Sequence, residues 1–268
     1  MSTGTRLDPI LDAVRARAAS RRRDQPLAGL RAGMRPDPTR GARFRAALAG
    51  PELGFLAECK RRSPSEGDLA AESDLAPRAA AYAAGGAAAL SVLTEEDHFR
   101  GGLADLAAVA GAGLPRLRKD FLLDEGMVLE SLAAGADAVL LLAVCLPDPL
   151  LGELRACAAE CGLAVLLEVH DEAELERALA VEPDCLGVNA RDLRDFQVDL
   201  GTVERLLPRV PAGTLRVAES GLAGPADLRR VRAAGADAAL VGTALMRAAD
   251  PAAALRGWRA ALAEEGSR

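Results

Sequence analysis

From residue 53 onward, short aliphatic runs alternate with stretches whose apolar residues recur at helical spacing. The runs read as strands: LGFLAECK at 53–60, 87–93, LPRLRKDF at 114–121, 137–144, GLAVLLEVH at 162–170, CLGVN at 185–189, TLRVAES at 214–220 and 238–242. Helical patterns lie between them, over 71–84, 101–111, 124–134, 149–161, 171–181, 200–207 and 225–234, with a last one at 250–265. Ahead of this array, Leu7, Ile10, Leu11, Val14 and Ala18 mark a leading helix over 7–23. The segment 24–45 is rich in Gly, Pro and Arg and reads as a loop or linker with a short helical turn.

Three helix-to-strand boundaries look alike: YAAGGAAALSVL, SLAAGADAVLLL and VRAAGADAALVG. Each pattern is a helix stopped by glycine and followed by an aliphatic strand, which suits the left-handed residue that ends many helices. Gly85, Gly135 and Gly235 are taken as equivalent, at spacings of 50 and 100 residues. A unit of about 25 residues divides both spacings and accommodates one strand and one helix. Eight such units predict an α/β fold, a (β/α)8 TIM barrel with an extra N-terminal helical segment before strand 1. The expected division is a single domain over 1–268, with the extension at 1–52 and the barrel at 53–268. A doubly wound open sheet is the competing architecture, but no GxGxxG follows the first strand and no Walker A loop is present.

Composition narrows the function classes. Half of the residues are hydrophobic (50%) and aromatics are only 3%, so the core must be aliphatic. The net charge of -6 argues against a nucleic-acid binder. The basic face RARAASRRR of the leading helix reads as a solvated face, with a nucleic-acid patch as the alternative. The five cysteines form no CxxC pair and there are two histidines, so neither a zinc site nor a disulfide scaffold is expected. No signal peptide is visible, and ADAVLLLAVCLP is too short for a bilayer span, which needs roughly 20 residues. A cytoplasmic protein is expected.

A barrel puts functional groups at the C-terminal ends of its strands. Polar residues collect there: Glu58 and Lys60, Lys119 and Asp120, Glu168 and His170, Asn189 and Arg191, Glu219 and Ser220, Gly242 and Thr243. Side chains two apart share a face, so Glu58 with Lys60 and Glu168 with His170 can both enter the mouth. His170 also reads as the start of the next helix, with Asp171 as its N-cap. His98 sits in a polar stretch; Arg61 and Arg62 divide between shaping the site and facing solvent; Asp120 reads as a brace for Lys119 or a turn cap. The turns AESGLAG and LVGTALM, with a short helix expected at 243–248, offer backbone N–H groups to an anion. Lys60 lies on strand one, beside strand eight on closure, and can reach the same anion.

The motifs ECKRRSPSEG, LSVLTEEDHFRGG, LRKDFLLD, LLEVHDEAELERAL, LGVNARDL, VAESGL and LVGTALMR, in this order, resemble the indole-3-glycerol-phosphate synthase family of the tryptophan pathway. The resemblance implies a carboxy-lyase, indole-3-glycerol-phosphate synthase. It would close, decarboxylate and dehydrate 1-(2-carboxyphenylamino)-1-deoxy-D-ribulose 5-phosphate to indole-3-glycerol phosphate. It implies catalytic roles for Lys119 as general acid in ring closure, Glu168 as acid–base carboxylate and Lys60 as acid in loss of water. It implies substrate binding by Glu58, Ser63, Phe121, Asn189, Arg191 and Glu219, and phosphate binding by Lys60, Ser220, Gly221, Gly242 and Thr243. Phe121, Leu193 and the leading helix would enclose the aromatic ring. No cofactor and no metal are implied. The only partner implied is the phosphorylated small molecule, with no nucleic acid or membrane, and a monomer or weak dimer is expected.

The chain departs from the family pattern in three places. Glu66 makes SPSEG of the usual SPSKG, residues 124–127 read DEGM, and Thr243 stands for a serine. A same-class rival is phosphoribosylanthranilate isomerase, whose chemistry pairs a cysteine with an aspartate. Cys59 has the wrong strand parity to point inward with Lys60. The rival from another class is a non-catalytic barrel, which would scatter its polar residues rather than gather them at the strand ends.

Overall fold

The computed structural model describes residues 7–64, 67–69, 75–194 and 196–264. Glu66 lies outside the described residues. The aliphatic runs form eight parallel strands: β1 Gly54–Cys59, β2 Ala89–Leu93, β3 Arg116–Lys119, β4 Ala138–Leu142, β5 Ala164–Val169, β6 Cys185–Asn189, β7 Leu215–Glu219 and β8 Ala238–Val241. Each pairs with the next in sequence, and β8 pairs back onto β1, Gly54 facing Ala238, so the barrel closes. Both strand faces are covered, which is why the runs are apolar without alternation. By strand parity, Leu56, Leu117, Leu140, Leu166, Val217 and Leu240 lie on the inward face below the site residues, and all are buried. They form an aliphatic floor beneath the mouth, with Leu140 and Leu240 reaching the cavity.

The helices in chain order are α1 Asp8–Asp24, α2 Leu27–Gly33, α3 Pro38–Leu48, α4 Leu75–Ala84, α5 Leu103–Ala108 and α6 Glu125–Ala133. Then come α7 Asp148–Cys161, α8 Glu172–Leu179, α9 Leu200–Leu206, α10 Pro225–Ala233, α11 Thr243–Arg247 and α12 Pro251–Ala263. Among the described residues, no helix is long and apolar enough to cross a membrane.

Segment 24–45 is not a linker, as its composition suggested; it holds α2 and most of α3. Asp37 caps α3 by accepting from Thr39 N at 3.0 Å, and Pro38 occupies the first helical position, where a missing N–H leaves no bond unmade. Gly41, Phe44 and Leu48 share one face and are buried. A Cβ at Gly41 would lie 2.7 Å from Ala164 N, so glycine serves close packing here rather than a turn. Arg43 pairs with Asp137 at 2.8 Å and Arg45 with Asp184 at 2.7 Å. Those acids precede β4 and β6, so α3 closes the barrel at its N-terminal end.

The repeated boundary is real, but its first member shifts by one residue. Gly86, not Gly85, takes the left-handed conformation, with φ 86, beside Gly135 at 87 and Gly235 at 94. In each case the following residue's N–H reaches back five positions: Ala87 to Tyr82, Ala136 to Ser131 and Ala236 to Val231. Gly85 is needed for a different reason, since a Cβ there would lie 2.9 Å from Ala252 Cα in α12. The aspartates of the two GADA copies also acquire a role. Asp137 and Asp237 each accept a backbone N–H from the preceding strand, Arg116 and Arg216, at 2.8 Å.

Because Phe44 is wholly buried between α3 and the barrel floor, Phe44→Ala is expected to lower unfolding free energy by about 3–5 kcal/mol. Urea titration followed by circular dichroism reads this out. An unchanged midpoint would show that α3 does not hold the barrel shut.

Candidate active site

A cavity of about 400 Å³ opens at the C-terminal ends of the strands, large enough for a phosphorylated metabolite. Every residue assigned by the resemblance lines it: Glu58, Lys60, Ser63, Lys119, Phe121, Glu168, Asn189, Arg191, Glu219, Ser220, Gly221, Gly242 and Thr243.

The centre is a buried charge cluster. Lys119 Nζ donates to Glu168 Oε2 at 2.9 Å and to Glu219 Oε2 at 3.0 Å. Asn189 Nδ2 donates to Glu168 Oε1 at 2.7 Å. At the end of β1, Lys60 Nζ pairs with Glu58 Oε1 at 2.6 Å. Burial disfavours the Lys119 ammonium, but Glu168, Glu219 and Glu58 outweigh it and raise its pKa. Burial likewise works against the Glu168 carboxylate, but Lys119, His170 and Asn189 prevail and hold its pKa below the usual range. Glu219 goes the other way: burial, with the nearby Glu168 charge adding to it, overcomes Lys119 and lifts it to about 8. Environment thus splits two like carboxylates into one held as base and one inclined to keep a proton.

Two glycines make room for this cluster. A Cβ at Gly242 would overlap Glu58 Oε1 and lie 2.9 Å from Lys60 Nζ, and one at Gly187 would overlap Glu219 Oε1. After β7, Ser220 and Gly221 are both left-handed, with φ 64 and 70, so the chain turns tightly there, and both residues line the cavity. After β8, α11 begins at once with Thr243, and Arg247 at its end also lines the cavity. Lys60 adjoins Gly242 across the β1–β8 seam.

Several expectations are corrected. The leading helix contributes no residue to the cavity lining. Its arginines are spent on ion pairs: Arg17 with Glu95 at 2.9 Å and with Asp97, Arg21 with Glu96, and Arg22 with Glu130. They tie α1 to α6 and to the loop after β2, while Arg15 and Arg23 are exposed, so RARAASRRR is a solvated face only in part. In the DEGM stretch, Asp124 caps α6, and Gly126 leaves space for Arg22, whose guanidinium a Cβ would overlap. Asp120 braces Arg118, at 2.8 Å, and Thr94, at 2.6 Å, rather than Lys119. Arg61 is held by Asp105 at 2.6 and 2.7 Å, Arg62 lies near Asp68, and neither lines the cavity. His98 stands 3.5 Å from Glu95, also away from it.

Sequence reasoning missed Phe99, whose ring centroid is 6.5 Å from that of Phe121, and the aliphatic wall of Leu93, Leu142 and Leu222. Only closure of the barrel brings these residues together. Sequence reasoning also gave His170 two readings, a partner of Glu168 facing the mouth or a helix-start residue, and the ring does not line the cavity. The ring is in fact buried, 3.2 Å from Glu168 and 3.0 Å from Glu174, while Asp171 does cap α8, accepting from Glu174 N at 2.9 Å.

The family model for indole-3-glycerol phosphate synthase matches residues 7–257. The chain belongs to the indole-3-glycerol phosphate synthase family. An indole-3-glycerol phosphate synthase of Parafrankia sp. (strain EAN1pec) is 48% identical over 248 residues, 91% of each chain. One of Nocardioides sp. (strain ATCC BAA-499 / JS614) is 48% identical over 252 residues, 93% of this chain and 96% of the relative. Among solved structures, thiamine phosphate pyrophosphorylase from Pyrococcus furiosus superposes with a TM-score of 0.59 at 21% identity, covering 82% of this chain and 98% of that one; this likeness concerns the barrel alone. Family membership covers α1 as well as the barrel, so the extension is part of the family's design.

The raised Glu219 sets a pH signature. Its folded pKa exceeds the unfolded 4.5, so the folded state binds the extra proton between 4.5 and about 8 and loses that advantage as pH rises through this window. Glu219→Gln removes the effect. The melting temperature of the variant, relative to the natural protein, is therefore expected to climb from about pH 5 to about pH 9. A difference that stays flat with pH would remove the assignment.

Proposed function

We propose that this chain is a carbon–carbon lyase that converts 1-(2-carboxyphenylamino)-1-deoxy-D-ribulose 5-phosphate to indole-3-glycerol phosphate, carbon dioxide and water, as a step of tryptophan biosynthesis. The observation that carries the reading is the ammonium of Lys119, held between Glu168 and Glu219 at the mouth of a cavity with apolar walls.

Ring closure forms a bond between the aryl carbon that bears the carboxylate and the substrate's carbonyl carbon. Negative charge develops on the carbonyl oxygen, which becomes far more basic than a carboxylate. Lys119 is positioned to give that oxygen a proton. Loss of carbon dioxide then returns the bonding electrons to the aromatic ring, and an apolar setting favours departure of the neutral gas. Dehydration requires an acid at the new hydroxyl and a base for the hydrogen that leaves. Lys60 and Glu168 have the charges for these two roles. Glu58 orients Lys60, Asn189 orients Glu168, and Asn189 Oδ1 also accepts the Arg191 backbone N–H at 2.9 Å. Phe121 and Leu193 line the cavity where an aromatic ring would lie, with Phe99 beside Phe121. Ser220, Gly221, Gly242 and Thr243 would hold the phosphate through backbone N–H groups, with Lys60 close by.

The isomerase alternative loses support at Cys59. Burial pushes its thiol up to about 12, and it does not line the cavity, so it is not poised as a base. A non-catalytic barrel has no use for three carboxylates and two ammonium groups converging in a buried mouth.

The test is direct. Purified protein with the ribulose phosphate is expected to generate indole fluorescence. Lys119→Met is expected to lower kcat by about 10²–10⁴-fold with the circular dichroism spectrum retained. Absence of indole product from the natural protein would sink the activity, and full activity of Lys119→Met would sink the assigned acid.

A further inference from the structure

His170 stands behind the cavity rather than in it, and none of the steps above uses it. It is nonetheless buried, and it lies between two carboxylates. Nδ1 is 3.0 Å from Glu174 Oε2, and the same oxygen accepts the His170 backbone N–H at 2.8 Å. Nε2 is 3.2 Å from Glu168 Oε1, the oxygen that also receives Asn189. Glu174 thereby holds both the backbone N–H and the ring of His170, and the ring in turn faces the carboxylate that reaches the mouth.

A neutral imidazole can donate from one nitrogen only, so it can serve Glu174 or Glu168, but not both. The imidazolium can donate to Glu174 and at the same time face Glu168 with its charge across the 3.2 Å from Nε2, a contact not aligned as a hydrogen bond. We infer that His170 is a positioning residue that works as an imidazolium: clamped by Glu174, it holds the Glu168 carboxylate ionised and correctly turned while Lys119 is engaged with the substrate. The inference rests on the proposed role of Glu168. Its physical content is a second cation. When Lys119 gives its proton to the substrate oxygen, Glu168 loses its main counter-charge, and His170 remains to supply one.

The electrostatics agree. Burial disfavours the charged ring, but Glu168 and Glu174 overcome it and raise its pKa to about 10. The other titratable or charged groups around it fit this state. Glu168 and Glu174 both act on the Cys145 thiol, which burial pushes up. From the loop after β6, Asp192 is held low first by its hydrogen bond from Arg194, with the His170 charge contributing. Asp171 pairs with Arg194 at 3.3 Å. Because the folded pKa is raised above 6.5, the charge is fully present below that value and lost as pH climbs through about 10.

The experiment compares kcat–pH profiles, KM and melting temperature for four variants. His170→Asn keeps a donor toward Glu174 and loses the one toward Glu168. It is expected to lower kcat by about tenfold to 10²-fold with little change in KM. It should also move the acid limb of the profile upward by about one unit or more, because Glu168 has lost a cationic neighbour. His170→Gln, which can still reach Glu168, should recover part of kcat. Glu174→Gln should bring the alkaline loss of kcat to lower pH, because the ring then gives up its proton earlier. Glu168→Gln separates the two readings. If Glu168→Gln retains full kcat, the role of Glu168 is wrong. If Glu168→Gln is inactive while His170→Asn matches the natural kcat and acid limb, the inference about His170 alone is overturned. Equally, a loss of kcat in His170→Asn that tracks only its loss of folded protein, with both limbs unmoved in it and in Glu174→Gln, overturns it.

Discussion

The Lys119 ammonium, half-buried between the buried carboxylates of Glu168 and Glu219, is the constraint around which the mouth of the barrel is arranged. A lone charge at that depth would be penalised by several kcal/mol, and removing one partner of a buried pair typically destabilises by about 3–5 kcal/mol. The penalty is met by convergence. Three strands each contribute one charged end, and Asn189 from a fourth completes the hydrogen bonding of Glu168. Gly187 and Gly242 matter for the same reason, because a β-carbon at either would displace a carboxylate.

The two ends of the barrel divide the work. At the N-terminal end, polar groups serve the scaffold: α3 presses Phe44 and Leu48 against the floor, and Asp137 and Asp184 receive arginines from it. These contacts fix strand positions. At the C-terminal end, the same strands carry Glu58, Lys119, Glu168, Asn189 and Glu219 into one space. Between the ends, the aliphatic layer excludes water, so interactions at the mouth act in a low dielectric, where they are stronger. The ion pairs of α1 belong to this mouth without entering it. By holding Glu95 and its neighbours, Arg17 and Arg21 secure the loop that presents Phe99 to the cavity.

Where sequence reasoning erred, it erred by averaging. Segment 24–45 looked like a linker because glycine and proline usually break helices. Yet Pro38 sits where helices accept it, and Gly41 is small because Ala164 is near. The RARAASRRR face looked solvated because runs of arginine usually are. Its partners, Glu95, Glu96 and Glu130, lie far along the chain and could not be paired with it from one sequence. Gly85 and Gly86 are adjacent, so pattern alone could not tell which takes the left-handed turn and which packs against α12.

What this sequence determined by itself was local and periodic. Eight aliphatic runs at regular spacing, glycine-ended helices and polar residues at the strand ends are consequences of chain geometry over a few residues, and they suffice to predict a barrel with its chemistry at one mouth. Tertiary structure decided what depends on distance through space. It set which carboxylate is pulled down and which is pushed up, because burial and partner charge are properties of a packed environment rather than of a residue type. It also made His170 more than the first residue before a helix, by folding Glu168 and Glu174 to either side of its ring.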